Sequence, residues 1–79
     1  MEELIKKITE MVADIQPYIE FDENTNLLEE DVLDSVSVLL LVQELEDEFD
    51  ISVDMEEVTG ENFTNILSVA KLVEDKIGK

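Results

Sequence analysis

The chain has 79 residues, a formal charge of −17 and 44% hydrophobic residues, which is enough apolar surface for one small domain, residues 1–79, and too much for a disordered acidic tail. It contains no histidine and no cysteine, so Ser-His and Cys-His machinery, imidazole or thiolate metal sites and disulfides are excluded. All but Glu2, Glu3, Glu74 and Asp75 of its 22 acidic side chains lie between residues 8 and 70, a stretch without a single basic residue. Such a surface repels nucleic acid and anionic membranes and attracts basic protein patches or divalent cations.

The first segment places Leu4, Ile5, Ile8, Met11, Val12 and Ile15 at steps of three and four, which predicts an amphipathic helix over residues 3–16. Glu2 with Lys6 and Glu3 with Lys7 are spaced to pair along it, and Pro17 stops it. The start Met1-Glu2-Glu3 has neither the basic nor the apolar region of a secretory signal, and no apolar run could span a bilayer, so a cytoplasmic monomer is expected.

Residues 17–34 lack helical periodicity but carry Tyr18, Ile19, Phe21, Leu27, Leu28, Val32 and Leu33. A connection this long is uncommon in a small domain. Its seven apolar residues predict a loop packed over the helices. Within it, Asp22-Glu23-Asn24-Thr25-Asn26 matches the opening of an EF-hand loop, but Leu27 replaces the turn glycine and Leu33 the bidentate glutamate. Dedicated calcium binding is therefore not expected, although clustered carboxylates could bind divalent cations weakly.

A second helix is expected from Asp34–Ser35 to about Asp50, with Val38, Val42, Leu45 and Phe49 inward, flanked by Leu39 and Leu41. Val36, Ser37, Leu40, Glu44, Asp47 and Glu48 fall on the opposite face. Asp54 and Glu57 have capping-box spacing for a short third helix that exits at Gly60. Thr64 or Asn65 can cap a last helix whose inward face is Ile66, Val69, Ala70, Val73 and Ile77, ending at Gly78. The fold class is all-α: three longer helices, one short helix and a long first loop.

Leu33-Asp34-Ser35-Val36 sits where that loop becomes helix. Asp and Ser both favour helix N-caps, and an isolated Asp-Ser needs no other explanation. A phosphate ester on Ser35 would also lie at the positive end of the helix dipole, beside N–H donors expected to be free. A sealed hydroxyl, or nearby amides already consumed, would overturn attachment at Ser35.

Leu33-Asp34-Ser35, Leu41, Leu45-Glu46, Glu48-Phe49 and Ile51 together resemble the acyl carrier protein family. Asn26-Leu27-Leu28 with Val32 is similar to the family's loop anchors, and Asn62-Phe63 with Ile66 to Val73 to its last helix, so the resemblance spans nearly the whole chain. It implies a four-helix bundle that is not an enzyme. A phosphopantetheinyl transferase would attach 4′-phosphopantetheine from coenzyme A to Ser35, with Asp34 positioning the serine and the donor's metal. The arm would then carry an acyl or aminoacyl thioester, loaded by a ligase and delivered to a transferase or synthase with a basic docking patch. The arm's thiol would be the protein's only one.

The departures from that family fall on the expected docking face. Fatty-acid carriers usually have an acidic residue in place of Leu40, and often another in place of Ser37. Here Val36 and Leu40 form an apolar patch ringed by Asp34, Glu44, Asp47 and Glu48, unless the helix is rotated and Leu40 turns inward. Ser37 is read as a small polar residue of that surface and as a weaker rival for attachment. Val32-Leu33-Asp34-Ser35 and Asn62-Phe63 resemble stand-alone carriers, including the D-alanyl carriers of teichoic-acid modification. Fatty-acid carriers more often have Gly-Ala-Asp-Ser, and peptide-synthetase carriers Gly-Gly before the serine. A dedicated stand-alone carrier leads, with a fatty-acid carrier second; an acidic adaptor or divalent-cation-binding domain is the rival from another class.

Overall fold

The apolar spacing of the first segment produces helix α1, Glu2–Ile15, in the computed structural model, which describes residues 2–78. Met1 and Lys79 lie outside the described residues. Ile8, Met11 and Val12 are buried, while Leu4, Ile5 and Ile15 pack at the edge of the core. Gln16 still donates its N–H to Val12 O at 2.9 Å, and Pro17 then ends the run. Lys7, expected to pair with Glu3, instead reaches Glu48 at 3.5 Å and lies 5.7 Å from the Phe49 ring.

The long connection is held at its second half. Asn26 Oδ1 accepts from the N–H groups of Leu28 (3.2 Å) and Glu29 (2.9 Å), closing a turn that inserts Leu27 into the core. Leu27 N–H donates to Thr64 O at 2.7 Å and Leu33 N–H to Leu27 O at 2.9 Å, so the loop is fastened both to itself and to the segment before the last helix. Leu27, Val32 and Leu33 are buried; Tyr18 and Ile19 are not, contrary to expectation, and Tyr18 is 98% exposed. Asp22 Oδ1 accepts from Asn24 N–H (2.8 Å) and Thr25 Oγ1 (3.1 Å), so the EF-hand-like segment is a small self-bonded turn. No cluster of three or more potential metal ligands occurs among the described residues.

Helix α2 runs Ser35–Phe49 and buries Ser37, Val38, Leu41, Val42 and Leu45. Its inward face is rotated from the expected one: Leu41 is fully buried, Leu39 is 48% exposed and Phe49 is only partly covered. Asp50, in the left-handed region at φ 53°, ends the helix by donating its N–H to Glu46 O. The Glu46 carboxylate also accepts from Val53 N–H at 2.9 Å, which turns the chain toward the third segment.

That segment corrects the fold expectation, since the short third helix is a single 3₁₀ turn, Met55–Glu57. Glu57 reaches back to Asp54 N–H at 3.1 Å as the sequence spacing suggested. The Val58 N–H then bonds to Met55 O, and Thr59 and Gly60 lead away without further helix. Glu57 also pairs with Lys76, and its carbonyl accepts from Asn62 Nδ2 at 2.8 Å, tying the turn to its neighbours. Phe63, wholly buried, anchors the approach to the last helix; covering a side chain of this size stabilises by roughly 1.5–3 kcal/mol.

Helix α3 spans Ile66–Ile77 and is capped by Asn65, whose Oδ1 accepts from Ser68 N–H at 2.9 Å. Ile66, Val69, Ala70 and Val73 are buried as expected, Leu72 joins them, and Ile77 is 51% exposed because the core has ended before it. Helix α1 packs against both α2 and α3. No strand occurs among the described residues, and the three helices and one 3₁₀ turn make an all-α domain.

Candidate functional site

Val32 and Leu33 are each 1% exposed, and two residues later Ser35 is exposed as the first residue of α2. The chain is therefore anchored immediately before a serine that faces solvent. Asp34 is the N-cap. Its backbone is extended at φ −99° and ψ −174°, and its Oδ1 accepts from the N–H groups of Val36 (3.1 Å) and Ser37 (2.8 Å). The Ser37 N–H, and after it the Ser37 hydroxyl, hold the Asp34 carboxyl below its usual range, so it is ionised at neutral pH.

This geometry corrects one expectation. The N–H groups of Val36 and Ser37 are occupied by Asp34 Oδ1, and that of Val38 donates to Asp34 O at 2.9 Å, so they do not form a free cradle for a phosphate. The condition set from the sequence, that these amides be free, is therefore not met; a group joined covalently to Ser35, however, needs no such cradle to stay in place. What it needs is an accessible hydroxyl and space, and both are present.

The space is a cleft of ≈ 310 Å³ beside Ser35, lined by residues that include Leu28, Val38, Leu39, Met55 and Phe63. Leu39 and Met55 escaped the sequence reading as site residues. Leu39 stands one helical turn from Ser35, a spacing that places both on one face. An arm esterified at Ser35 can leave toward solvent or along this cleft. The residues present fit a tethered phosphopantetheine.

The expected docking residues divide. Val36 is 65% and Leu40 47% exposed, which settles the rotation in favour of an outward Leu40. Glu44 and Asp47 are exposed as well, and with Glu48 they border a groove of ≈ 520 Å³ against Lys7, Glu10, Met11 and Asp14 of α1. Ser37 does not belong to this surface. It is 7% exposed, and its hydroxyl accepts from Gln16 Nε2 at 3.2 Å, because the buried arc of α2 extends one position further round than the apolar residues alone indicated. Gln16 was not singled out from the sequence; no pattern there marks it as a partner of Ser37.

Residues 3–73 match the family model described as the phosphopantetheine attachment site. The D-alanyl carrier protein of Lactococcus lactis subsp. lactis strain IL1403 is 36% identical over 76 residues, covering 96% of this chain and 95% of the relative. The protein of the same name from L. lactis subsp. cremoris strain MG1363 is 34% identical over the same coverage. Three helices, a loop anchored ahead of an exposed Asp-Ser and this end-to-end similarity agree: the chain belongs to the phosphopantetheine-binding carrier proteins, which hold acyl groups on that prosthetic group.

Proposed function

We propose that the arm is attached at Ser35 and that the protein is a stand-alone, non-catalytic carrier of an aminoacyl group of the D-alanyl kind. The observation that carries the site is the exposed Ser35 hydroxyl at the first position of α2, next to an ionised Asp34. Ser37, the other hydroxyl nearby, is buried and bonded to Gln16. In the transfer, Ser35 Oγ forms the new bond to the phosphorus that bears pantetheine. The phosphoanhydride bond to adenosine 3′,5′-bisphosphate breaks, and the serine proton is released. Asp34 positions the serine and the donor's divalent cation. The bound arm supplies a thiol that carries cargo as a thioester. Tethering raises the cargo's effective concentration at a docked partner.

The D-alanyl cargo is supported by the names of the relatives and by matches that cover 96% of the chain. The partners are then a phosphopantetheinyl transferase, an aminoacyl-loading ligase and an acceptor-side transferase, each meeting Val36 and Leu40 within the acidic ring of Glu44, Asp47 and Glu48. A fatty-acyl cargo is the second reading, favoured by the apolar cleft beside Ser35.

The test is the intact mass after incubation with coenzyme A and a broad-specificity transferase. One phosphopantetheine should be gained by wild type and by Ser37→Ala, and none by Ser35→Ala. Absence of any gain in wild type, or an unchanged gain in Ser35→Ala, overturns the site. The holo form is then offered D-alanine or fatty acid with the corresponding ligase, and the adduct mass decides the cargo.

A further inference from the structure

Gly60 marks the expected exit of a third helix that the structure reduces to a single turn, so glycine at this position needs another reason. The backbone supplies none, because Gly60 is not in the left-handed region that favours glycine. Packing supplies none either: a Cβ added there would meet no atom within 4 Å. Gly60 instead lines the cleft of ≈ 310 Å³ beside Ser35. The buried Phe63 and the partly buried Leu28 line it too, with the exposed Leu39 and Met55 at its edge. Among the described residues, none that lines this cleft is charged. The wall at Gly60 is fixed by its own bonds, Phe63 N–H donating to Thr59 O at 3.0 Å and the Thr64 hydroxyl to Gly60 O.

We infer that this cleft seats the pantoyl segment of the arm and that the missing side chain at Gly60 keeps it open. The inference rests on Ser35 being the attachment site and extends that reading to how the arm lies on the protein. Ser35 is itself part of the lining, so the atoms nearest the phosphate are the ones brought to the cleft. In 4′-phosphopantetheine those are the pantoyl carbons, which carry geminal methyl groups a few bonds from the phosphorus. They are the most apolar part of the arm next to the phosphate, and an uncharged apolar wall covers methyl groups favourably. The cleft is at the small end of ligand pockets, which start at about 300 Å³, so it takes a segment of the arm and not arm and cargo together. The amides further along the arm are costly to bury without partners, and the ammonium of an aminoacyl cargo costlier still, so the thiol end stays in water. Tethering makes even a weak seat effective, because a short flexible link holds the segment at millimolar effective concentration. The cleft thus orients the start of the arm and leaves the cargo free for a partner.

NMR on the intact carrier, made holo with coenzyme A and a broad-specificity transferase and checked by mass, tests this. In wild type the geminal methyl protons should show nuclear Overhauser contacts to Leu28, Leu39, Met55 and Phe63. Their shifts should depart from those of free phosphopantetheine. In Gly60→Leu, whose side chain enters the open space, the contacts should be lost and the shifts should return to the free values. Unmodified Gly60→Leu should melt no lower than wild type, since neither backbone nor packing requires glycine there. Leu39→Asn, at the exposed edge of the cleft, is a second variant and should weaken the same contacts. With D-alanine loaded, wild type should keep the pantoyl contacts while the alanine methyl shows none. Methyl shifts equal to the free values in wild type, or contacts to Val36 and Leu40 instead, overturn the seat. Contacts from the cargo methyl into the cleft overturn its assignment to the arm. Undiminished contacts in Gly60→Leu overturn the role of Gly60. Failure of wild type to gain mass, or a gain by Ser35→Ala, overturns the Ser35 reading instead, so the failures are distinguishable.

Discussion

Asp34 is exposed, yet it is the residue on which the start of α2 depends, and its charge matters to that role. An ionised carboxylate accepts from the Val36 and Ser37 N–H groups more strongly than a neutral amide does, and it lies at the positive end of the helix. Its carboxyl titrates below the ordinary value of 3.8 in the folded protein. A depressed folded value means that the stabilisation is fully present above the unfolded value and is lost as pH falls through the folded one. Asparagine keeps a capping oxygen but has no charge to lose. At high salt, which screens the long-range repulsion, wild type should melt above Asp34→Asn by a margin that is constant at neutral pH. That margin should close as pH drops below about 3.8, as melting curves on the two proteins would show. A margin independent of pH would mean that the carboxylate charge adds nothing. At this scale the sequence was informative about Asp34 and Ser35 because capping chemistry is local. It was misleading about Ser37, which lies four residues before Leu41 on the buried arc; a hydroxyl there reads as surface until its partner, Gln16, is brought in from 21 residues away.

The elements divide in the same way, by the range of the interactions that define them. Helices α1 and α3 follow their apolar spacing closely, because both bury a continuous stripe. The Asp54–Glu57 pair was legible as a helix start, but one turn of 3₁₀ begins with the same local pattern; only the chain beyond it, where Val58 N–H already closes on Met55 O, shows that no helix continues. In the long loop, apolar content alone could not separate anchors from passengers. Leu27 is fully buried and its N–H bonds to Thr64 O, whereas Tyr18 projects into solvent. Leu27→Ala should therefore destabilise the domain by about 2–5 kcal/mol, most of a small domain's stability, while Tyr18→Ala should change it by less than about 0.5 kcal/mol. Urea denaturation of the two variants checks this. Comparable losses would show that the first half of the loop is also anchored. Because Leu33 N–H donates to Leu27 O two residues before Ser35, the proposed attachment site, the loosened variant should also present Ser35 less uniformly, with slower modification.

For the molecule as a whole, the deciding comparison is between its size and the reach of its charge. It measures 34 × 26 × 20 Å and carries a formal charge of −17. Electrostatic influence extends about 30 Å at 0.01 M salt and about 10 Å at 0.1 M. In dilute buffer nearly every carboxylate therefore feels every other, and in moderate salt only its neighbours. The ion pairs Lys7–Glu48 and Lys76–Glu57 offset little of this repulsion. Raising NaCl from about 0.01 M to about 0.1 M should consequently raise the melting temperature, because screening relieves the folded state most. Mg²⁺ should stabilise without the saturating step of a dedicated site, given the absence of a three-ligand cluster among the described residues. The same salt should act oppositely on function. On the proposed docking of a basic partner at the acidic face of α2, encounter would be steered by the unscreened field, so the loading rate should fall over the range in which the carrier becomes more stable. Thermal melts and initial loading rates across one salt series measure both. A rate that rose with stability would mean that folding limits loading; a rate indifferent to salt would remove charge from the docking step and leave Val36 and Leu40 to carry it.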